Sequence, residues 1–214
     1  MDPTLYVVLD RAVARGRDLG DILDATVAAG CRLVQLREKE WPSGRLLPLA
    51  RRLRARCREA GVIFIVNDRV DLALAVEADG VHLGQDDLPV PVGRALLRPG
   101  MLLGVSTHSL AQAKAAQADG ADYVAVGSMY PTATKPEFQL VGPDLVREVR
   151  AVVRVPLIGI GGITPDNAAA VVRAGADGVA VISAVCAAAD PAAATRRFLD
   201  TIRAARDLQR RPPL

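Results

Sequence analysis

Short apolar runs alternate with longer segments of mixed polarity along the whole chain. Eight runs of four or five residues are mostly apolar without polar alternation, which is the pattern of parallel strands buried on both faces. They cover residues 5–9, 32–36, 62–66, 80–83, 101–105, 123–126, 156–160 and 178–182. The pattern therefore predicts eight β-strands distributed over the length of the chain.

The segments between these runs carry helical signals. They lie near residues 18–29, 43–60, 71–77, 91–97, 109–118, 143–152, 165–174 and 191–207. Ser109 stands at a helix start as a capping residue and Pro165 as a first-turn proline, whereas Gly30 and Gly175 end helices just before a new strand. These signals predict one helix after each strand.

Eight β/α units in 214 residues predict a single-domain (β/α)8 TIM barrel of the α/β class. An open, doubly wound sheet is the alternative fold. A chain of this length can bury a core without disulfides or structural metals. We expect one catalytic domain over residues 1–214, whose last residues, 209–214, fray.

Charge and composition favour anionic small molecules as partners. The net charge is +3 and the pI is about 9.0, a mild excess that does not by itself indicate nucleic acid. An arginine-rich run at residues 51–58 carries apolar residues at helical spacing and no aromatic side chains. We interpret this run as the solvated face of an amphipathic helix and not as a nucleic-acid site.

The cysteines and the apolar segments bear on the compartment. The three cysteines, Cys31, Cys57 and Cys186, are widely spaced without a CxxC pair, which is typical of reduced thiols in a cytoplasm. The first residues lack the basic stretch of a signal peptide, and no apolar run is long enough to span a membrane. We expect a cytoplasmic protein with no membrane partner. The sequence neither indicates nor excludes a homo-oligomer.

Polar residues collect at the predicted carboxyl ends of the strands, where barrel enzymes place their active sites. Lysine usage sharpens this prediction, because the chain has 24 arginines but only three lysines, and Lys39 and Lys135 both lie on strand-end loops. A lysine is a compact point charge that can approach a phosphate oxygen closely. We therefore interpret Lys39 and Lys135 as candidate phosphate ligands.

Two turns late in the chain have the features of a phosphate site. Gly161 and Gly162 precede the helix that starts near Pro165, and a second turn follows Ile182 and Ser183. Backbone N–H groups at a helix N-terminus bind anions, and glycine lets the backbone approach closely. The pattern predicts a phosphate monoester site after strands 7 and 8 but does not identify the ligand.

Asp68 and Asp87 follow neighbouring predicted strands. Two carboxylates at one barrel mouth could hold Mg²⁺ together with phosphate oxygens, but either aspartate could instead cap a helix, and spacing alone does not decide. For the two histidines, the favoured interpretations are a hydrogen-bonded barrel residue for His82 and a helix cap for His108. Proton transfer is the alternative role for both.

Read together, the strand-end segments resemble the thiamine phosphate synthase family. The matching segments are QLREK at 35–39, ND at 67–68, DGVHLGQDDLP at 79–89, GVSTHS at 104–109, DYVAVGSMYPTATK at 122–135, GIGGI at 159–163 and GVAVISAV at 178–185. Seven segments in register over nearly the whole barrel make the match specific. Met129 and Tyr130 depart from the expected pattern, as does the stretch after Lys135, which leaves the shape of that loop open.

The resemblance implies a reaction and a set of roles. The enzyme would join a hydroxymethylpyrimidine diphosphate to a thiazole phosphate, or to its carboxylated form with loss of CO₂, and release pyrophosphate through a dissociated pyrimidine cation. The implied pyrimidine diphosphate ligands are Gln35, Leu36, Arg37, Glu38, Lys39, Asn67, Ser106 and Lys135, of which Arg37, Lys39, Ser106 and Lys135 would be catalytic. The implied thiazole phosphate ligands are Thr132, Ala133, Thr134, Gly162, Ile182 and Ser183. Asp68 and Asp87 would hold Mg²⁺.

Two other functions remain as alternatives. A thiazole tautomerase-like barrel would bind the same thiazole phosphate but would not need the combination of Arg37, Lys39, Asp68, Asp87 and Lys135 to hold a diphosphate. A non-catalytic phosphometabolite-binding barrel would keep the phosphate site without needing the two carboxylates. The sequence does not distinguish the free from the carboxylated thiazole substrate.

Overall fold

Eight parallel strands close into a barrel in the computed structural model, which describes residues 1–132 and 140–210, with side chains as far as Leu208. The strands are β1 Leu5–Asp10, β2 Leu33–Arg37, β3 Ile63–Asn67, β4 Gly80–Leu83, β5 Leu102–Thr107, β6 Tyr123–Val126, β7 Leu157–Ile160 and β8 Gly178–Val181. Each strand pairs with the next, and β1 pairs with β8. The predicted eight-stranded barrel is confirmed, and the open sheet is wrong.

Helices surround the barrel. They are α1 Arg11–Ala14, α2 Leu19–Ala28, α3 Ser43–Glu59, α4 Val70–Ala75, α5 Val90–Leu96, α6 Leu110–Ala118, α7 Gly142–Val152, α8 Pro165–Arg173, α9 Ser183–Cys186 and α10 Pro191–Arg210. The eight predicted helices correspond to α2–α8 and α10. The four-residue helices α1 and α9 were not predicted, because one turn is too short to show a periodicity. Helix α10 continues two residues into the segment predicted to fray.

Alternation along the strands divides the core into two parts. Side chains such as Val7, Val34 and Val66 point outward and pack under the helices, in one large buried cluster. Side chains of the opposite parity, including Tyr6 and Tyr123, fill the inside of the barrel. The parity of a strand residue therefore decides whether it can reach the barrel mouth.

Three aspartates close the end of the barrel opposite the mouth. Asp79, Asp122 and Asp177 accept hydrogen bonds from backbone N–H groups in the first two residues of β3, β5 and β7, at 2.7–2.8 Å. Each also pairs with an arginine on a preceding helix. These aspartates belong to the repeated segments ADG at 78–80 and 176–178 and ADY at 121–123. Their role is to fix the starts of the strands, and they are not catalytic groups.

The arginine-rich run lies on the outer face of α3, as predicted. Leu53 and Cys57 are buried beneath it, and four of its arginines form ion pairs with acidic side chains of neighbouring elements. These pairs are Arg52–Asp18, Arg54–Asp79, Arg56–Asp24 and Arg58–Glu77. Within residues 1–132 and 140–210, no helix is long and apolar enough to cross a membrane.

Candidate active site

Charged side chains from β2, β3 and β4 meet on one side of the barrel mouth. Lys39, two residues beyond the end of β2, places its Nζ 2.5 Å from Oδ2 of Asp68, which directly follows β3. The Asp87 carboxylate, in the loop after β4, lies next to that of Asp68 and raises its pKa. The predicted grouping of these three side chains is present.

The backbone at Asp68 holds its side chain at the mouth. Its φ of 60° is left-handed, which is uncommon for residues other than glycine, and its N–H donates to the carbonyl of His82 at 2.8 Å. Burial is the largest cause that raises the pKa of Asp68 above its ordinary value, and Asp87 adds to it, whereas Lys39 acts in the opposite direction. A carboxylate in this position favours a nearby cation.

Neither aspartate caps a helix. The residue preceding α4 is Arg69 and the residue preceding α5 is Pro89, and neither helix start receives a side-chain hydrogen bond. One oxygen of Asp87, Oδ2, accepts the N–H of Gly84 at 2.7 Å and so holds the β4–α5 loop. The helix-cap interpretation is therefore wrong at both positions.

The pair of carboxylates fits a magnesium ion. Mg²⁺ is held in many enzymes by one or two carboxylates, with substrate phosphates and water completing the coordination. No group of three or more His, Cys, Asp or Glu side chains in the described part of the chain could form an all-protein metal cage. A metal here would thus complete its coordination with phosphate oxygens and water.

Arg37 pairs with an acidic residue, Asp10, that was not among the predicted site residues. Its Nη1 pairs with Oδ2 of Asp10, the last residue of β1, which is 2 % exposed. The other oxygen of Asp10 accepts the N–H of Val13 at 3.1 Å and caps α1. In the sequence, Asp10 is visible only as an aspartate that directly follows the first apolar run. That it lies beside Arg37 follows from the pairing of β1 with β2, which the sequence does not show.

Glu38 is occupied by the structure of its own loop. One carboxylate oxygen pairs with Arg11, and the other accepts the N–H groups of Glu40 at 2.7 Å and Trp41 at 3.2 Å. Leu36 has the outward parity and is buried under the helices, so only its backbone could contact a ligand at the mouth. Substrate contacts by these two residues remain predictions.

Gln35 and Ser106 point into the barrel just below the mouth. Gln35 Nε2 donates to Tyr6 Oη at 2.6 Å, and Ser106 Oγ lies 2.9 Å from His82 Nε2. His82 is thus the hydrogen-bonded barrel residue that was predicted. Asn67, the last residue of β3, is half-buried at the same level, opposite His82 in the sheet register.

A cavity of about 360 Å³ occupies the other side of the mouth, between β5, β6, β7 and β8. Its described lining includes the predicted residues Ser106, Thr132, Gly162, Ile182 and Ser183 and no Lys, Arg, Asp or Glu side chain.

His108 also lines this cavity and donates from Nδ1 to the carbonyl of Gly127 at 2.6 Å. His108 precedes α6, but the cap is the neighbouring Ser109, whose side chain accepts the N–H of Gln112. The cap interpretation of His108 is wrong.

Gly162 has no room for a side chain. Its φ is +63°, and an added Cβ would lie 2.5 Å from the carbonyl oxygen of Pro131 and 2.6 Å from that of Tyr130. The start of α8 is fixed by Asn167, whose Oδ1 accepts the N–H of Thr164 at 2.8 Å and whose Nδ2 donates to the carbonyl of Gly162 at 3.1 Å. The N-terminal end of α8 is therefore held rigidly against the cavity.

Three predicted ligands, Ala133, Thr134 and Lys135, lie outside the described residues, so their roles remain predictions. Of the two unusual residues before that segment, Met129 is buried in the outer core and Tyr130 packs against it.

The fold and the site define a (β/α)8-barrel enzyme whose mouth has a charged half on β2–β4 and a glycine-lined, uncharged half on β5–β8. The chain belongs to the thiamine monophosphate synthase family, whose match covers residues 5–185, and it is a transferase. It is 51 % identical over 203 residues to the thiamine-phosphate synthase of Moorella thermoacetica, covering 94 % of this chain and 97 % of that protein.

Solved structures agree with this family assignment. The thiamine phosphate pyrophosphorylase of Pyrococcus furiosus has a TM-score of 0.86 and 36 % identity, with 95 % of this chain and 97 % of that chain covered. A 3-hexulose-6-phosphate synthase has a TM-score of 0.64 and 20 % identity, with 92 % and 99 % of the two chains covered, and that likeness shows the fold alone. The family resemblance seen in the sequence is confirmed.

Proposed function

We propose that this chain joins a hydroxymethylpyrimidine diphosphate to a thiazole phosphate, forming thiamine phosphate and releasing pyrophosphate. The observation that carries the proposal is the division of the mouth. In a member of this family, Arg37, Lys39, Asp68 and Asp87 stand opposite a glycine-lined cavity. Both substrates are anionic, but only the diphosphate departs during the reaction and gains negative charge there.

The charged half would bind the diphosphate. The C–O bond of the pyrimidine methylene breaks, the bonding electrons leave with the diphosphate, and the thiazole nitrogen donates its lone pair to the resulting pyrimidine cation. Negative charge therefore grows on the departing group. Arg37 and Lys39 are cations whose positions are fixed by Asp10 and Asp68 before the substrate binds, and preorganised charges of this kind are typically a large part of catalysis.

Asp68 and Asp87 would hold Mg²⁺ at the same place. When bound, the ion would neutralise oxygens of the diphosphate. The donor set supports this, since the two carboxylates adjoin each other and burial raises the pKa of Asp68, which disfavours its charge in the absence of a cation. Lys39 lies beside the pair, so its ammonium group is within reach of a phosphate bound there.

The uncharged half would bind the thiazole phosphate through backbone N–H groups. The turns that lead into α8 and α9 both lie at the cavity, and backbone N–H groups at Gly162 and Ser183 would donate to the phosphate there. Helix N-termini favour anions without a side-chain cation. Thr132 would complete this site, together with Ala133 and Thr134. The ligand could be the free or the carboxylated thiazole.

A coupling assay tests the proposal. Purified protein, both substrates and Mg²⁺ should give thiamine phosphate and pyrophosphate in equal amounts, with no pyrophosphate when either substrate is left out. Isomerisation of a thiazole phosphate without coupling would favour the tautomerase alternative. Binding of both substrates without any turnover would favour a phosphometabolite-binding protein. A cytoplasmic location remains a prediction, and the oligomeric state remains open.

A further inference from the structure

A chain of hydrogen bonds crosses the inside of the barrel from Gln35 to Ser106. Gln35 Nε2 lies 2.6 Å from Tyr6 Oη, and Tyr6 Oη lies 2.9 Å from Tyr123 Oη. Tyr123 Oη lies 3.1 Å from His82 Nδ1, and His82 Nε2 lies 2.9 Å from Ser106 Oγ. The two ends of this chain are predicted substrate ligands, whereas its three middle residues have no role in the mechanism above.

The middle of the chain is closed to solvent and fitted to its surroundings. Tyr6 and Tyr123 are at most 1 % exposed and His82 is 5 % exposed. Space for the Tyr123 phenol exists only because residue 104 is glycine, since an added Cβ there would lie 2.0 Å from Tyr123 Cζ. No buried side-chain nitrogen or oxygen among the described residues lacks a partner, so the chain is fully hydrogen-bonded.

The number of protons available fixes which atom donates in each hydrogen bond from Gln35 to Ser106. Burial raises the pKa of both phenols well above the ordinary value, so each keeps one proton to donate. The oxygen of Tyr6 accepts from the Gln35 amide, and its own proton therefore goes to Tyr123. The proton of Tyr123 then goes to His82 Nδ1. A neutral imidazole that accepts at Nδ1 carries its proton on Nε2, which donates to Ser106 Oγ.

We propose that Tyr6, Tyr123 and His82 are positioning residues that hold Ser106 as a hydrogen-bond donor toward the bound substrate. A serine hydroxyl has one proton. When His82 Nε2 donates to Oγ, that proton is left for the mouth, where an anionic substrate needs donors. If the hydrogen bond ran the other way, Ser106 Oγ would donate its proton to His82 Nε2 and would present only lone pairs to the substrate. The role of the substrate in this inference rests on the proposed function; the direction of the chain does not.

The tautomer of His82 can be measured directly on the full, substrate-free protein. Long-range ¹H–¹⁵N correlation spectra at about pH 8, above the ordinary histidine pKa, distinguish a proton on Nε2 from a proton on Nδ1. We expect Nε2–H for His82. His108 is the internal control, because a carbonyl can only accept and its Nδ1 must therefore carry the proton. A His108→Gln variant assigns the two signals. An Nδ1–H or rapidly averaged His82 would overturn the proposal.

Kinetics show whether the chain acts through Ser106. Tyr123→Phe removes the donor to His82 Nδ1 and should lower kcat by about two- to tenfold, the range for one net hydrogen bond, with the thiazole phosphate KM unchanged. In a Ser106→Ala background the same change should have no further effect on kcat. Equal effects in the two backgrounds would mean that Tyr123 supports only the fold, and the positioning role would be wrong.

A second variant covers the case in which Tyr123→Phe does not fold. Tyr6→Phe breaks the chain one step earlier and leaves the Tyr123–His82 bond in place, so the His82 spectrum should show both tautomers. An unchanged spectrum would mean that Gln35 and Tyr6 do not set the direction. Absence of turnover by the wild-type protein would count against the proposed function, while the tautomer measurement would stand on its own.

Discussion

The two halves of the barrel mouth handle charge in different ways. On β2–β4, cationic and acidic side chains lie in contact, with Lys39 2.5 Å from Asp68 and Arg37 paired with the buried Asp10. On β5–β8, the described cavity lining contains no such side chain, and the proposed anion-binding groups are backbone N–H groups at Gly162 and Ser183. Side-chain charges can respond to a charge that grows during the reaction, whereas fixed dipoles suit a phosphate whose charge stays constant. Changes to the side-chain charges of the first half should therefore appear in kcat, and changes to the backbone at Gly162 and Ser183 in the thiazole phosphate KM.

The largest effect is expected from Lys39→Ala. Losing one preorganised charge contact to the departing diphosphate typically costs about 2.7–4 kcal/mol, so kcat should fall by a factor on the order of 10²–10³. The thiazole phosphate KM should stay nearly constant. Steady-state kinetics with each substrate varied in turn measure both quantities. Lys114→Ala, an exposed lysine on α6, is the matched control and should leave both unchanged. A kcat loss shared by the two variants would remove the special role of Lys39.

The corresponding prediction for Lys135 concerns a residue outside the described part of the chain. Lys135→Ala should likewise lower kcat on the order of 10²–10³-fold with little change in the thiazole phosphate KM. Lys135→Arg should restore only part of the rate, because a planar guanidinium is a poor substitute for a point charge. An increase in the thiazole phosphate KM alone would place Lys135 in the other half of the mouth.

The metal prediction concerns Asp68 and Asp87. Asp68→Asn keeps the size of the side chain but removes one of the two charges that would hold Mg²⁺, so the Mg²⁺ concentration for half-maximal rate should rise strongly. Titration of the rate with Mg²⁺ checks this. Asp71→Asn, an exposed aspartate on α4, is the control. If Asp68→Asn and Asp87→Asn both kept the wild-type Mg²⁺ dependence, the ion would have to bind elsewhere.

Gly162→Ala should have an intermediate effect in the uncharged half. The added Cβ would meet the carbonyl oxygens of Tyr130 and Pro131 at 2.5–2.6 Å, which forces the backbone of the proposed phosphate site to shift. We expect a clear increase in the thiazole phosphate KM, with pyrimidine diphosphate binding nearly intact. Gly100→Ala is the control, because Gly100 also has a positive φ but has open space around it. Loss of both substrate affinities in Gly162→Ala alone would contradict the separation of the halves.

The smallest effect is expected from ionic strength, which should change the binding of the two substrates to different extents. Ions screen the attraction between exposed charges, and Lys39 is about half exposed. Raising the ionic strength should therefore weaken pyrimidine diphosphate binding more than thiazole phosphate binding. Calorimetric titrations of each ligand at several salt concentrations provide the test. Equal salt dependence would indicate a cation in the second site.

The strands and the longer helices could be predicted because periodicity is a local property, and barrel geometry placed the expected site at the carboxyl ends of the strands. Asp68 and Asp87 could be placed at one mouth since parallel strands end on the same side. The contact of Asp10 with Arg37, in contrast, could not be predicted, because it depends on the pairing of β1 with β2, in which the two residues lie opposite each other. The apolar pattern around Tyr6 and Tyr123 likewise gave no sign that their hydroxyl groups meet inside the barrel. Such contacts depend on tertiary packing, which a single sequence does not display.

The most direct test of the two-half mouth is simultaneous binding of its two ligands. Pyrophosphate with Mg²⁺ should be titrated calorimetrically into the protein alone and into protein saturated with thiazole phosphate. If the charged half binds pyrophosphate and the uncharged half binds the thiazole phosphate, the two should bind together, and the pyrophosphate affinity should be nearly the same in both titrations. Mutually exclusive binding would show that both ligands use one site and would contradict the account.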